Sequence, residues 1–196
     1  MQKKLRIHNR IFIDKSNGQD NSNKGFSLIE LIVVIAVMVV VTGFIVYGVS
    51  VLSSGDANKA SKTIYNQLTS TQRSTLSMSG KWSLEIINNS GTNTLNIYRD
   101  DGTGNQLQTS EKLGSRIELS YNTKNDEASA QQLGNGDRLI VTFERSTGKI
   151  LDVTKNGSSI YDSGKTDLYI MANGRGSSSN YTVKVIYATG KIISEN

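Results

Sequence analysis

"KGFSLIELIVVIAVMVVV", Lys24 to Val41, sets the architecture expected of this chain. From Phe26 to Leu52 the sequence is apolar, with Glu30 as its only charge. A helix of that length reaches about 40 Å, enough to cross a hydrocarbon core of about 30 Å. Val and Ile are poor helix formers in water, but in lipid an unpaired backbone is too costly, so a helix is the conformer expected of a lone segment. The flanks orient it. Residues 1–25 carry six Lys or Arg against Asp14 and Asp20, a net of +4, whereas Asp56, Lys59 and Lys62 are the charges that follow closely. The N-terminus should stay cytoplasmic and the C-terminal body should be exported.

Glu30 is the anomaly in this segment. A charged side chain costs about 2.5 to 3.5 kcal/mol at mid-helix in a bilayer, less near an end, and such residues usually mark a partner or a function. The expectation is that Glu30 needs a cation, and a cut after Gly25 would create one on Phe26. Within one helix that amine and a carboxylate four residues on are close. Between staggered copies, the acid of one chain can meet the amine of the next in a low dielectric. A secretory signal would instead have a shorter apolar core followed by a small-residue cleavage site, and no A-x-A pattern follows here. A plain signal anchor explains the length and the flanks but not Glu30.

With its basic leader ending in Gly25, Phe26 after it, Glu30 five residues past that glycine and a long apolar run, the segment resembles the N-terminal signature of type IV pilins and pseudopilins. That resemblance implies cleavage after Gly25 by a membrane peptidase and methylation of the new amine on Phe26. It also implies a role for Glu30 in assembly and an apolar helix that leaves the bilayer for the core of a fibre. The leader is longer than the shortest in the family, and the mid-helix proline of many major pilins is missing, since the chain has no proline.

After Leu52 the chain turns polar but keeps Ala57, Ala60, Ile64, Leu68, Thr71 and Thr75 at spacings of three and four. That is the stripe of an amphipathic helix, with Ser53, Ser54 and Gly55 as a place for a kink and Gly80 as a stop. From Lys81 onward come short β-rich runs: "WSLEII", "TLNIYR", "RIELSY", "RLIVTFE", "KILDV", "DLYIMA" and "YTVKVIY". In the last, Tyr181, Val183, Val185 and Tyr187 fall on one face. Turn sequences such as "DDGTGN", "STGK" and "ATGK" punctuate them. The fold class expected is α+β, a long N-terminal helix packed on an antiparallel β-rich head, arranged as a curled sheet or two small sheets. The domain reading is a leader at 1–25, a membrane and assembly helix at 26–52, an amphipathic helix at 53–80 and a head at 81–196. The polar stretch Asn122 to Asp137 reads as a surface loop.

The head offers little for catalysis. There is no cysteine, and the only histidine is His8, so thiol chemistry and most imidazole chemistry are excluded. Asp137, Glu144 and Asp152 lie in turns and strands without acid/base pairing, and the expectation is a protein that is not an enzyme and takes no cofactor. Asp100, Asp101 and Asn105 could hold calcium, but the spacing is not that of a calcium loop, and a solvated hairpin turn is preferred. Arg175 between glycines could touch phosphate; a linking turn is the safer reading. The aromatics from Trp82 to Tyr187 are expected to fill cores and cross-strand pairs.

"STGKILDV" at Ser146 to Val153 is echoed by "ATGKIISEN" at Ala188 to Asn196, which reads as two hairpins with one turn chemistry. The layout also resembles the β-rich heads of minor pseudopilins of type II secretion and related minor pilins. Some of those bind DNA through a Gly-Arg-rich C-terminal turn; here that turn holds only Lys191, so nucleic acid is not the favoured partner. The functional expectation is a structural subunit of a type IV pilus or type II secretion-like pseudopilus, most consistent with a minor pilin. Its partners would be other pilin subunits, the prepilin peptidase and the membrane. It would sit as a single pass in the inner or cell membrane before joining an extracellular or periplasmic fibre. The alternative is a minor pilin whose head captures DNA or a surface ligand.

Overall fold

In the chain's computed structural model, residues 26–123, 129–162 and 167–195 are described, with side chains 44–47 and 49 outside the description. Among the described residues one helix, α1 (Leu28–Ser77), precedes eleven strands: β1 (Lys81–Asn89), β2 (Thr92–Asp100), β3 (Asn105–Gly114), β4 (Ile117–Asn122), β5 (Gln131–Gln132), β6 (Arg138–Phe143), β7 (Ile150–Lys155), β8 (Ser158–Ser159), β9 (Leu168–Gly174), β10 (Asn180–Val185) and β11 (Ile192–Glu195). The chain divides into one unit reaching Val41 and a second that starts at Thr42. The class is α+β.

In the first unit the helix is apolar all round, and every large apolar side chain from Phe26 to Val41 is exposed, from 47% at Val34 to 89% at Phe26. A helix of that kind is stable in water only when something else covers it. The apolar run whose side chains are fully described, 28–43, measures about 24 Å as a helix. Among the described residues no helix is long and apolar enough to cross a membrane. The crossing expected for 26–52 therefore rests on the sequence.

In the second unit the helical stripe is where the spacing places it. Ala57, Ala60, Ile64, Leu68, Thr71 and Thr75 are all buried, and the two threonines sit there because their hydroxyls donate to the carbonyls of Gln67 (2.7 Å) and Thr71 (2.8 Å). Lys62, Asn66, Ser70 and Arg73 line the opposite, exposed face. The helix continues through Ser53, Ser54 and Gly55 without a break and ends three residues before Gly80. The head meets the helix closely here: a Cβ on Gly174 would lie 2.6 Å from the Ser53 carbonyl, so the end of β9 presses on the helix backbone at this point.

Two antiparallel sheets complete the head, in the orders β3-β2-β1-β6-β7-β8 and β11-β10-β9-β4-β5. Their apolar faces share one core with the helix stripe, built around Leu84, Ile86, Leu95, Val141, Ile170 and Val183. Alternation along β10 holds: Val183 and Val185 are fully buried, while Lys184 between them pairs with Asp167 at 3.1 Å. Two features depart from expectation. β3 carries almost no apolar alternation because it is a sheet edge exposed along most of its length, with only Leu113 near its end reaching the core, so nothing in its sequence announced a strand. Within the polar stretch 122–137, β5 pairs with β4 and Leu133 is buried, its N–H donating to the Leu119 carbonyl at 2.8 Å. Residues 124–128 of that stretch lie outside the described set.

The echoed turns acquire a shared purpose in three dimensions. Gly148 and Gly190 both adopt positive φ (71° and 69°), and each donates its N–H back to residue i−4, Glu144 and Ile186. One hairpin belongs to each sheet, and the helix holds them together. The Gln72 amide donates to the Gly148 and Gly190 carbonyls, both at 2.6 Å. Truncating it orphans two carbonyls at a site where a Cβ on Gly190 would already touch the Gly148 oxygen at 2.6 Å. Gln72→Ala is expected to destabilise the head by about 1–3 kcal/mol, measurable as a lowered midpoint in chemical denaturation with an unchanged m-value.

Candidate processing and assembly site

α1 begins where the apolar run begins, and its first turn is closed by a reciprocal pair. The Ser27 N–H donates to Glu30 Oε2 at 2.8 Å, and the Glu30 N–H donates to Ser27 Oγ at 3.2 Å. This is a capping box: two of the four N–H groups that a helix start leaves without partners are satisfied by two side chains three residues apart. The carboxylate also sits at the positive end of the helix macrodipole. The sequence reading, in which Glu30 needs a cation that a new amine on Phe26 would supply within one helix or between copies, left this capping contact out. Glu30 has a local partner within the chain, and the Ser-x-x-Glu spacing in "FSLIE" was the signal that went unread. Among the described residues no Lys or Arg forms an ion pair with Glu30, so its charge stays uncompensated by any described cation.

Phe26 precedes the helix and is 89% exposed, an open position for a residue beside an expected cut. Gly25, on the other side of that bond, and the basic leader before it lie outside the described residues.

The carboxylates that the sequence singled out in the head are occupied in turns. Asp100 accepts from Gly102 N–H at 2.9 Å; Asp101 accepts from Thr103 N–H and hydroxyl at 3.1 and 2.6 Å. Those Thr103 bonds hold the Asp101 carboxyl below the usual range. Both acids close the β2–β3 turn on itself, and among the described residues no cluster of three acids or histidines is arranged to hold a metal. Asp137 is bound by the Asn156 amide at 2.8 Å and by Lys155 at 3.2 Å, Glu144 by the Thr147 hydroxyl, and Asp152 by the Ser159 hydroxyl at 2.6 Å. Arg175 faces Glu118 at 3.7 Å. These groups shape loops.

The aromatics behave as expected of a core: Trp82, Tyr121, Tyr161 and Tyr169 are buried, and Tyr181 and Tyr187 pack against the core while still partly exposed. Sequence reading passed over Glu85, which is 4% exposed and accepts from the Asn96 amide at 3.0 Å and the Tyr98 hydroxyl at 3.2 Å, with Arg138 at 3.6 Å. Burial, and then the charge on Glu85, raises the Tyr98 hydroxyl above its ordinary value. Lys184 is held up at about 12 by the Tyr169 hydroxyl and the Asp167 carboxylate. In each, the charged groups are paired with one another and with neighbouring hydroxyls or amides.

The N-terminal segment is thus the chain's distinctive feature: a capped helix start, an exposed Phe26 before it, and an apolar surface without cover. No curated protein and no solved structure matches the chain at a significant level. Residues 20–46 do match a known family, the prokaryotic N-terminal methylation motif, and this type IV prepilin signature marks the chain as a pilin-like or pseudopilin precursor.

Proposed function

We propose that this chain is a structural subunit of a type IV pilus or a type II secretion-like pseudopilus, most consistent with a minor pilin. It is made as a precursor with a cytoplasmic leader, held in the membrane by residues 26–52, cleaved between Gly25 and Phe26 and methylated on Phe26. It then joins other pilin subunits through the N-terminal helix. One observation supports this above the others: the matched motif opens a helix whose apolar side chains are exposed on every face, with the single acid capped at its start. Such a surface needs lipid before assembly and neighbouring helices afterwards, and the same side chains serve in both. The head contributes shape and stability; its acids and aromatics are engaged in turns and core, which favours a structural subunit over an enzyme.

The test is the mass of the mature N-terminus. Protein recovered from membranes of a host that expresses a prepilin peptidase should begin at Phe26 and carry one additional methyl group. Recovery of a chain that still begins at Met1 in the presence of active peptidase would overturn the reading.

A further inference from the structure

At the start of the buried helix stripe lies a cleft of about 270 Å³, walled by Asp56, Lys59 and Thr63 of α1, by Lys112 of β3 and by Ser115 and Arg116 of the β3–β4 connection. Arg116 donates to Asp56 at 2.9 Å. That contact offsets one cation with one anion. Lys59 and Lys112 have no ion-pair partner among the described residues, and the acid beside Lys112, Glu111, accepts instead from the Gln67 amide at 3.2 Å. The cleft is therefore lined by two exposed lysines without an ion-pair partner among the described residues, together with Thr63 and Ser115, a set suited to a phosphate.

Its position on the helix selects the source of that phosphate. Val51 and Leu52, the last residues of the apolar stretch, are 53% and 57% exposed. Lys59 follows Leu52 by seven residues, about 10 Å along a helix, and Asp56 by about 6 Å. The headgroup layer on each side of a bilayer is roughly 5–7 Å deep. With Leu52 at the edge of the hydrocarbon, the mouth of the cleft lies at or just above the phosphates. We infer that the cleft binds the phosphate of an anionic lipid headgroup while the subunit is anchored, an inference that rests on the membrane stage of the proposed function. Lys112 and Arg116 lie some sixty residues beyond the apolar stretch and reach the cleft only through folding of the exported head. They therefore add a headgroup contact without altering the charge bias that orients insertion, which counts residues near the segment.

The full chain, reconstituted in nanodiscs of equal phosphatidylcholine and phosphatidylglycerol, is released into native mass spectrometry and the retained lipids are counted. Wild type should retain phosphatidylglycerol in preference to phosphatidylcholine. The Lys59→Gln/Lys112→Gln variant should lose that retention by roughly tenfold or more, as expected of two basic residues near an anionic surface. Lys149→Gln, outside the cleft, should behave as wild type. Equal retention by the double variant overturns the inference, and so does displacement of the lipid by millimolar inorganic phosphate, which would assign the cleft to a free anion. Disulfide-linked dimers from Ser115→Cys in this cysteine-free chain would seat a second copy there and would also overturn it. A chain that stays in the aqueous fraction overturns the membrane stage as well, whereas an inserted chain with no lipid preference overturns only the headgroup contact.

Discussion

Glu30→Gln is expected to leave the start of α1 intact and yet suppress fibre assembly, while Glu30→Ala is expected to damage both. The capping box needs only an acceptor that can reach back to the Ser27 N–H, and glutamine serves in that position as glutamate does. Alanine removes the acceptor, at a cost of about 0.5–2 kcal/mol in helix stability. What glutamine cannot supply is the negative charge. If assembly brings the amine of one copy within about 4 Å of Glu30 on another, that attraction is about 4 kcal/mol at an effective dielectric of 20, several powers of ten in association. Pelleted fibres should therefore fall at least tenfold in both variants, and helicity should be preserved only in the glutamine variant. Cleavage after Gly25 should proceed in both, because neither change touches the scissile bond. Abundant fibres from Glu30→Gln would mean that the cap alone explains the residue and that no intersubunit pair exists.

Gly174→Val is expected to produce the largest loss of stability in the head. A Cβ there would stand 2.6 Å from the Ser53 carbonyl carbon and oxygen and 2.8 Å from the Ser54 nitrogen. All three are backbone atoms of a helix, so nothing flexible can move aside. Relief requires the end of β9 to withdraw from α1 at a point just before Ala57 and Ala60, both essentially fully buried in the core. Overpacking of this kind costs about 1–3 kcal/mol, and the rigid neighbours place it at the upper end or beyond. In a chain of this size that lowers Tm by roughly 6–12 °C. Gly55 is the contrasting site. It lies in the same helix two residues past Ser53, and a Cβ there meets nothing within 4 Å. Gly55→Ala should raise stability by about 0.5–1 kcal/mol through helix propensity alone. Thermal melts of the two variants against wild type, followed by circular dichroism, check both signs together.

Much of the fold was legible because its signals are local. The helix stripe from Ala57 to Thr75 and the alternation along β10 each follow from a period of 3.6 or 2 that one segment displays by itself. The matched glycine turns were visible for the same reason. The elements that escaped lack such a period. β3 is exposed along most of its length and buries only Leu113, and Leu133 stands alone in a polar stretch, recruited to the core only because β5 reaches β4. Glu30 was noticed for its burial cost in lipid, while its capping role, equally local, was overlooked.

The sequence by itself determined the N-terminal motif, the apolar helix with its one acid, the amphipathic stripe that follows and the β-rich character of the head, since each depends on neighbours within a few positions. Only the tertiary structure decided that Gln72 clasps two hairpins from different sheets, that Gly174 lies against the helix backbone at Ser53, and that Lys59 shares a cleft with Lys112 and Arg116. Those juxtapositions join residues tens of positions or more apart. Which of them meet is settled by how two sheets and a helix bury one common core, and no periodicity within a single segment encodes it.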